Sequence, residues 1–371
     1  MSSGLIDTNN RVPPALENSP AVLPPDGTAG HRWAVVLAGG DGTRLQSLTL
    51  KIAGDQRPKQ FCSFFGGETL LTQTRARLES LFQVDRELFV VTRSHETYYR
   101  EELRSVDESH IIPQPLNRGT GVAVAVALVH VLQRDPDAVV VLVPCDHYYS
   151  DDEAFGRAIR SVIYCAEQYP DAVVLLGAEA RDAEIEYGWI EVGSAISDTP
   201  VPLFRVNRFW EKPSMLQAQE LLRRGCLWNT FVTAGRASTL LDVLCAEVPN
   251  VVLAVNKALA GNELEAAYRV MPAVDLSRQV FAPQPHRLLI VRDVKSGWDD
   301  LGSPSRVMEI LARNNIRPAW LREEYKLLPH TDSRQIPIGI VDPRMVRGEM
   351  SGRAQSSAER SRNNDRRKRS I

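Results

Sequence analysis

The sequence predicts an α/β fold with a mixed, mostly parallel central sheet flanked by helices. Three observations carry that expectation. The apolar runs "RWAVVLAG", "ELFVVT", "AVVVLVP" and "DAVVLLGA" continue without polar alternation, as strands buried on both faces do. Segments of helical length and spacing separate them, the pattern of right-handed parallel crossovers. A glycine-rich turn, "AGGDGTRL", follows the first run, at the sheet edge where open α/β sheets bind ligands.

Taken in order, "RWAVVLAG" reads as the first strand. The stretch "SLTLKIAGDQRP" after the glycine turn breaks any periodic pattern, so no helix is expected there. Leu70, Leu71, Thr74, Leu78, Leu81 and Phe82 recur at helical intervals. "ELFVVT" and "HIIPQP" are the second and third strands. "TGVAVAVALVHVLQR" is a helix despite its valines, by its length and its polar cap "NRGT". "AVVVLVP" is the fourth strand, "DDEAFGRAIRSVIYCAEQ" a helix with an acidic first turn, and "DAVVLLGA" the fifth strand. From Tyr187 the pattern changes. "YGWIEVG" and "LFRVNRFWEKP" look like antiparallel strands, followed by helices at 214–224, 236–247, 251–260 and 303–313.

The expected organisation is a proline-rich N-terminal tail over 1–30, one α/β domain over 31–315, an extension over 316–342 and a basic tail over 343–371. That last stretch carries nine Lys/Arg against three Asp/Glu. Over the whole 371 residues, 43 % are apolar, 24 % charged and the net charge is −2, which points to neither a nucleic-acid nor a membrane partner. No apolar run approaches the ~20 residues of a spanning helix. The first residues lack a basic flank and an apolar core, so no secretory signal is expected. The five cysteines are widely spaced, with no C-x-x-C pair, which favours reduced thiols in a cytoplasmic protein over a zinc site.

The glycine turn is compatible with three kinds of phosphate loop. It lacks the lysine of a G-x-x-x-x-G-K-[ST] loop and the third glycine of G-x-G-x-x-G. What remains is a loop wrapped around a triphosphate, with backbone N–H groups at the sheet edge and Arg44 supplying a permanent planar charge. "RPKQF" places Lys59 on a proline-fixed backbone as a second phosphate contact. In "VLVPCDHYYSDD", Asp146 follows the end of a buried strand and suits a hard divalent cation; Asp151 or Ser150 supplies the next helix cap instead. Asp146 with His147 makes a poor zinc pair, since adjacent residues on an extended chain point apart. "FWEKPS" offers Glu211 and Lys212 at a strand end, and "SGWDDLGSP" offers Asp299 and Asp300 in a tight turn.

The order G-G-x-G-T-R-L, P-K-Q-F, R-G-T, P-x-D-H, E-Y-G-W-I-E, E-K-P-S, L-W-N, W-x-D-L-G over about residues 33–315 resembles the sugar-phosphate nucleotidylyltransferases. Within that family it is most similar to the mannose-1-phosphate guanylyltransferase branch. The resemblance implies a Rossmann-like nucleotide-diphospho-sugar transferase fold and Mg²⁺-dependent transfer of GMP from GTP to mannose 1-phosphate, with release of pyrophosphate. It implies small-molecule substrates, an NTP and a sugar 1-phosphate, and is compatible with a homo-oligomer. Carried over by position, Arg44, Lys59 and Lys212 are the catalytic cations. Gly39, Gly40, Asp41, Gly42 and Thr43 of the glycine loop, with Gln114, Gly119 and Thr120, bind the nucleotide. Gly188, Glu191, Glu211 and Asn229 meet the sugar, and Asp146 and Asp300 hold the metal. The rival readings are another NTP and sugar 1-phosphate, or a binding homologue without turnover.

The chain departs from the family pattern in four places. "RGTGVA" stands for "RGTAPA" or "RNTAPA", "LWNTFV" for "WNSGMF", and "DLGSP" for "DLGSW". Gln114 stands where guanine-specific relatives often carry glutamate. A carboxylate accepts both guanine N–H groups, whereas an amide offers one acceptor oxygen.

Overall fold

The computed structural model describes residues 29–321, Val294 excepted. The expected tail over 1–30 lies outside the described residues but for Ala29 and Gly30, which enter a 3₁₀ turn, Ala29–His31. The extension beyond Leu321 and the basic tail over 343–371 also lie outside them.

The valine-rich runs build the first half of the sheet. β1 (Arg32–Leu37), β2 (Glu87–Thr92), β3 (Ile111–Gln114) and β4 (Val139–Pro144) pair in parallel in the spatial order β3-β2-β1-β4. β2 and β4 are buried along their whole length, which is why their sequences show no alternation. β5 (Val173–Glu179) runs in the same sense, yet it does not lie beside β4. β8 (Leu227–Arg236) is wedged between them, antiparallel to both. β9 (Leu288–Asp293) then pairs in parallel with β5, and β7 (Leu203–Glu211) runs antiparallel to β9. β6 (Gly188–Ala195) closes the edge against β7 and curls back to meet β8 at Trp189–Trp228.

Helices cover both faces. On one side, α4 (Gly119–Arg134) packs with α7 (Ala237–Glu247) and α8 (Pro249–Gly261). α4 is buried along nearly its full length between sheet and helices, so packing overrides the helix penalty of its valines. On the other side, α2 (Leu70–Leu78) and α5 (Asp152–Gln168) contribute Leu71, Leu78, Phe155 and Ile159 to the second apolar layer. Asp151 caps α5 by accepting from the Ala154 N–H at 2.8 Å, as expected, so Asp146 is left for other work. A third cluster joins Leu45 and Phe64 to Val307 and Ile310 of α10 (Pro304–Arg313).

Two expectations are corrected. A helix does follow the glycine turn: α1 (Gln46–Ala53) buries Leu48 and Thr49 and is stopped by Gly54 in the left-handed conformation. The missing third glycine is thus what separates this loop from a dinucleotide fingerprint. The strands β8 and β9 go unannounced in the sequence. In β8, Asn229, Thr230 and Gly235 interrupt the apolar run, although the strand is buried on both faces. α3 (Glu96–Glu102), α6 (Met215–Arg223) and α9 (Leu264–Val270) complete the helices, with a π turn at Leu276–Phe281. All five cysteines are free thiols. Among the described residues, no helix is long and apolar enough to cross a membrane.

The departure "RGTGVA" has a packing reason. The segment after α9 crosses the start of α4, where Gly121 N–H donates to the Val274 carbonyl at 2.8 Å and Val274 N–H to the Arg118 carbonyl at 2.9 Å. A Cβ on Gly121 would stand 2.4 Å from Val274 Cγ1. Gly121→Ala should therefore lower stability by about 1–3 kcal/mol in urea unfolding. The loss should be smaller in a Val274→Ala background; an equal loss in both backgrounds would show that Val274 is not the obstacle.

Candidate active site

The candidate residues gather at the carboxyl edge of β1 and β4 and the loop after β9, where an open α/β sheet places its ligand. The glycine loop leaves β1 with its backbone pinned from below. Thr92 Oγ1 donates to the Gly39 carbonyl at 2.9 Å, and Gln60 Nε2 donates to the carbonyls of Ala38 and Gly40 at 3.0 and 2.8 Å. Gly42 has φ 59°, a left-handed conformation that L side chains adopt rarely, and a Cβ there would meet the Lys59 backbone N at 2.8 Å. The chain then turns through a 3₁₀ segment, Thr43–Leu45, into α1.

Below this loop lies a cavity of ≈ 180 Å³ walled by Gly42–Leu45, Lys59, Asp146, Leu301 and Gly302. Lys59 is buried. Its ammonium donates to the Asp300 carbonyl at 2.5 Å and lies 3.3 Å from Asp146 Oδ2. Asp300 Oδ1 accepts from the Gly302 N–H at 2.7 Å, and its Oδ2 is 3.8 Å from Arg44 Nη2. Arg44 is half exposed over the cavity and also lies 3.4 Å from Glu186 Oε2. Burial pushes the Asp146 carboxyl up, but Lys59, with lesser help from His147, more than offsets it, and Asp146 sits below its ordinary value. Four of the predicted residues, Arg44, Lys59, Asp146 and Asp300, are thus brought together from segments far apart in the chain.

A second group lies along the sheet, on one face of β6, β7 and β8. Gly188 pairs with Glu211 in register, and a Cβ on Gly188 would stand 2.9 Å from Glu211 Oε2 and 3.2 Å from Asn229 Cβ. Asn229 Oδ1 accepts from the Phe231 N–H at 3.1 Å, and its Nδ2 faces Ser277 Oγ at 3.4 Å. Burial, then Asp275, pushes Glu211 up to about 7. Phe231 stands where the family pattern carries a glycine, and it holds φ 66°, the conformation a glycine would take freely. Lys212, with φ 48°, is tied through its N–H to the Tyr187 carbonyl at 3.2 Å.

Several expected contacts are placed differently. Glu191 does not join Gly188, Glu211 and Asn229. It projects from the other face of β6 and is paired with Arg224 at the end of α6. Asp41 turns away from the cavity: its Oδ2 accepts from Asn117 Nδ2 at 2.9 Å and its Oδ1 lies 3.3 Å from His95 Nε2. Gln114 is buried beneath the loop, 3 % exposed, and its Oε1 accepts from the Tyr268 hydroxyl at 3.1 Å. Gly119 N–H donates to Asn117 Oδ1 at 3.0 Å, and Thr120 Oγ1 accepts from the Leu276 N–H at 3.1 Å, so both serve the start of α4. Gln60 is missing from the sequence-predicted site; its only signal is that it adjoins Lys59 in "PKQF".

Backbone N–H groups, cations and carboxylates meeting at the carboxyl edge of such a sheet make a site for nucleotide phosphates, which is the class this geometry defines. The chain belongs to the nucleotidyl transferase family, whose family model matches residues 33–315. It is 28 % identical over 328 residues to mannose-1-phosphate guanylyltransferase of Escherichia coli, a match that covers 82 % of this chain and 67 % of that protein. It is 29 % identical over 291 residues to alginate biosynthesis protein AlgA of Pseudomonas aeruginosa, covering 76 % and 58 %. The chain thus spans 58–67 % of the length of these two relatives. A crystal structure described as mannose-1-phosphate geranyltransferase from Thermus thermophilus matches with 31 % identity and a TM-score of 0.67, over 75 % of this chain and 79 % of that one. One of mannose-6-phosphate isomerase from Helicobacter pylori, 22 % identical with a TM-score of 0.59 over 73 % and 100 % of the two chains, shares the fold. The architecture is the expected Rossmann-like one of nucleotide-sugar transferases.

Gln60 is the residue on which the loop leans. Gln60→Leu leaves the Ala38 and Gly40 carbonyls without their side-chain donor and should lower stability by about 1–3 kcal/mol in urea unfolding. An unchanged midpoint would mean that the loop is held by Thr92 and its own backbone alone.

Proposed function

We propose that the protein transfers a nucleoside monophosphate from an NTP to a sugar 1-phosphate, with GTP and mannose 1-phosphate as the substrate pair and GDP-mannose and pyrophosphate as products. The observation that carries this reading is the convergence of Lys59, Arg44 and Asp146 on one small cavity beneath the glycine loop, with Asp300 against Arg44 and Lys59. The names of the mannose-1-phosphate guanylyltransferase relatives support the choice of substrates.

The chemistry asks little of the side chains beyond position and charge. The sugar phosphate is already ionised, so it attacks the α-phosphorus in line without a general base. Arg44 and Lys59 offset the charge that gathers on the departing pyrophosphate. Lys212 receives the phosphate of the sugar, while Glu211 and Asn229, beside the bare backbone of Gly188, receive its hydroxyls. The Tyr268 hydroxyl takes one of the two acceptor sites of the buried Gln114 Oε1, so Gln114 meets guanine more weakly than a carboxylate would and other groups around the loop share the selection.

The donors suit Mg²⁺. Among the described residues no three His, Cys, Asp or Glu side chains gather into a cage. Asp146 presents a carboxylate to the cavity and Asp300 a second beside Arg44 at its edge, and Mg²⁺ is commonly held by one or two carboxylates together with substrate phosphates. Bound there, it would neutralise phosphate charge.

Pyrophosphate release measured over GTP, ATP, UTP, CTP and dTTP against several sugar 1-phosphates tests the proposal. GTP with mannose 1-phosphate should give the highest kcat/KM, and Asp146→Asn should abolish turnover in a chain that still folds, with a lower thermal midpoint because buried Lys59 loses its opposite charge. Release from no pair would leave a binding protein, and near wild-type turnover in Asp146→Asn would sink the assignment of Asp146.

Glu211 supplies a pH test. Its acid form is favoured in the folded chain, so the folded state loses stability as pH rises from the ordinary 4.5 towards about 7. A carboxylate accepts hydrogen bonds from sugar hydroxyls better than its acid does, so KM for the sugar phosphate should fall as pH rises through 7. Glu211→Gln should lose both trends; a KM profile identical to wild type would remove Glu211 from the sugar site.

A further inference from the structure

We infer that His147 and Trp298 form a positioning pair that sets Asp146 relative to Asp300 and so fixes the cation-binding end of the site. The inference rests on the reading of those two aspartates as a metal pair. Trp298 precedes Asp300 by two residues and is buried; His147 directly follows Asp146. The indole N–H of Trp298 donates to His147 Nδ1 at 3.1 Å, and the two rings meet edge-on, 5.5 Å apart at 81°. An indole nitrogen only donates, so Nδ1 must carry the lone pair and the imidazole proton must sit on Nε2. That nitrogen faces Asp146 Oδ1 at 3.7 Å, while Asp146 Oδ2 faces Lys59. The carboxylate thus lies between the Lys59 ammonium and an imidazole nitrogen that stands just beyond direct hydrogen-bond reach, and that imidazole is oriented from the loop that carries Asp300.

Trp298 is well placed to transmit position. Its ring is gripped by Tyr187 at 5.5 Å and Trp228 at 6.2 Å between centroids. The same two loops are joined through the backbone, Tyr148 N–H to the Asp299 carbonyl at 2.9 Å and Asp299 N–H to the Tyr148 carbonyl at 3.0 Å. The backbone bridge sets the spacing of the loops, but it leaves the Asp146 side chain free to rotate. The Trp298–His147 bond adds the orientation.

Outer partners of metal ligands commonly change metal affinity by about 10–100-fold when removed. The test is Mn²⁺ titrated into the full chain without nucleotide and followed by electron paramagnetic resonance. Trp298→Phe removes the N–H and leaves a smaller aromatic ring in its place; it should weaken Mn²⁺ binding about tenfold while the KM for sugar phosphate holds, with the thermal midpoint falling by the packing lost. His147→Ala should weaken binding at least as much, His147→Gln should recover part of it by restoring a donor near Nε2, and Trp298→Phe should add nothing to His147→Ala. Mn²⁺ binding lost in Asp146→Asn but unchanged in Trp298→Phe would overturn the inference alone. Binding unchanged in Asp146→Asn would overturn the metal reading and the inference with it.

Discussion

One contact holds the site together: the ammonium of Lys59 between the Asp146 carboxylate and the Asp300 carbonyl. Lys59 is 7 % exposed. A buried ammonium is costly unless an opposite charge and hydrogen bonds take the place of water. Here the partners come from the end of β4 and from the loop after β9, and Lys59 itself from the turn that follows α1. Folding the lysine in therefore commits three distant segments to one spot. The glycine loop is drawn into the same arrangement, because Gln60, next in the chain, hangs it by two carbonyls.

The sheet explains why such a spot exists at one edge. Parallel strands β1 and β4 deliver the glycine loop and Asp146 at their carboxyl ends. β8, running the other way between β4 and β5, brings Trp228 and Asn229 into the sheet beside Gly177 and Ala178, towards the carboxyl end of β5. β6 curls over to pair with β8 at Trp189, and its Gly188 meets Glu211 of β7. A purely parallel sheet would end with phosphate-facing loops alone. The antiparallel insertion supplies the second group of polar side chains, in a row set by strand register.

What is legible in the sequence follows the strength of its local signals. β1, β2, β4 and β5 are buried on both faces, and nothing but apolar runs of their length fits such places. Arg44, Lys59, Asp146 and Asp300 each stand in or near a turn marked by glycine or proline, and they are legible together because those turns follow the motif order of the family. β8 is not, since Asn229 and Thr230 break its apolar run and their long-range partners, Ser277 Oγ and the Leu176 carbonyl, cannot be read locally. The motif assigns Glu191 to the sugar, but β6 alternates faces, and three residues from Gly188 means the opposite side. Gln114 carries a base-reading chemistry in isolation; the Tyr268 hydroxyl that occupies it comes from α9, a helix with no strong periodic signal.

The two ends of the site are held by different means. At the phosphate end the backbone is relaxed where glycine permits it, and charge does the holding. At the other end, Lys212 and Phe231 keep left-handed backbones without being glycines, an arrangement that costs of order 1–3 kcal/mol each. Such strain persists only where the surroundings over-determine it. Phe231 follows two residues fixed by side-chain bonds and sits where β8 shifts register against β5, between the Asn229–Gly177 and Thr233–Leu175 pairs, so its conformation is imposed from its neighbours. This is why a phenylalanine can stand where the family pattern has a glycine: the glycine would make the left-handed path cheaper, while the register shift between β5 and β8 and the Asn229 Oδ1 that accepts from the Phe231 N–H are what require it.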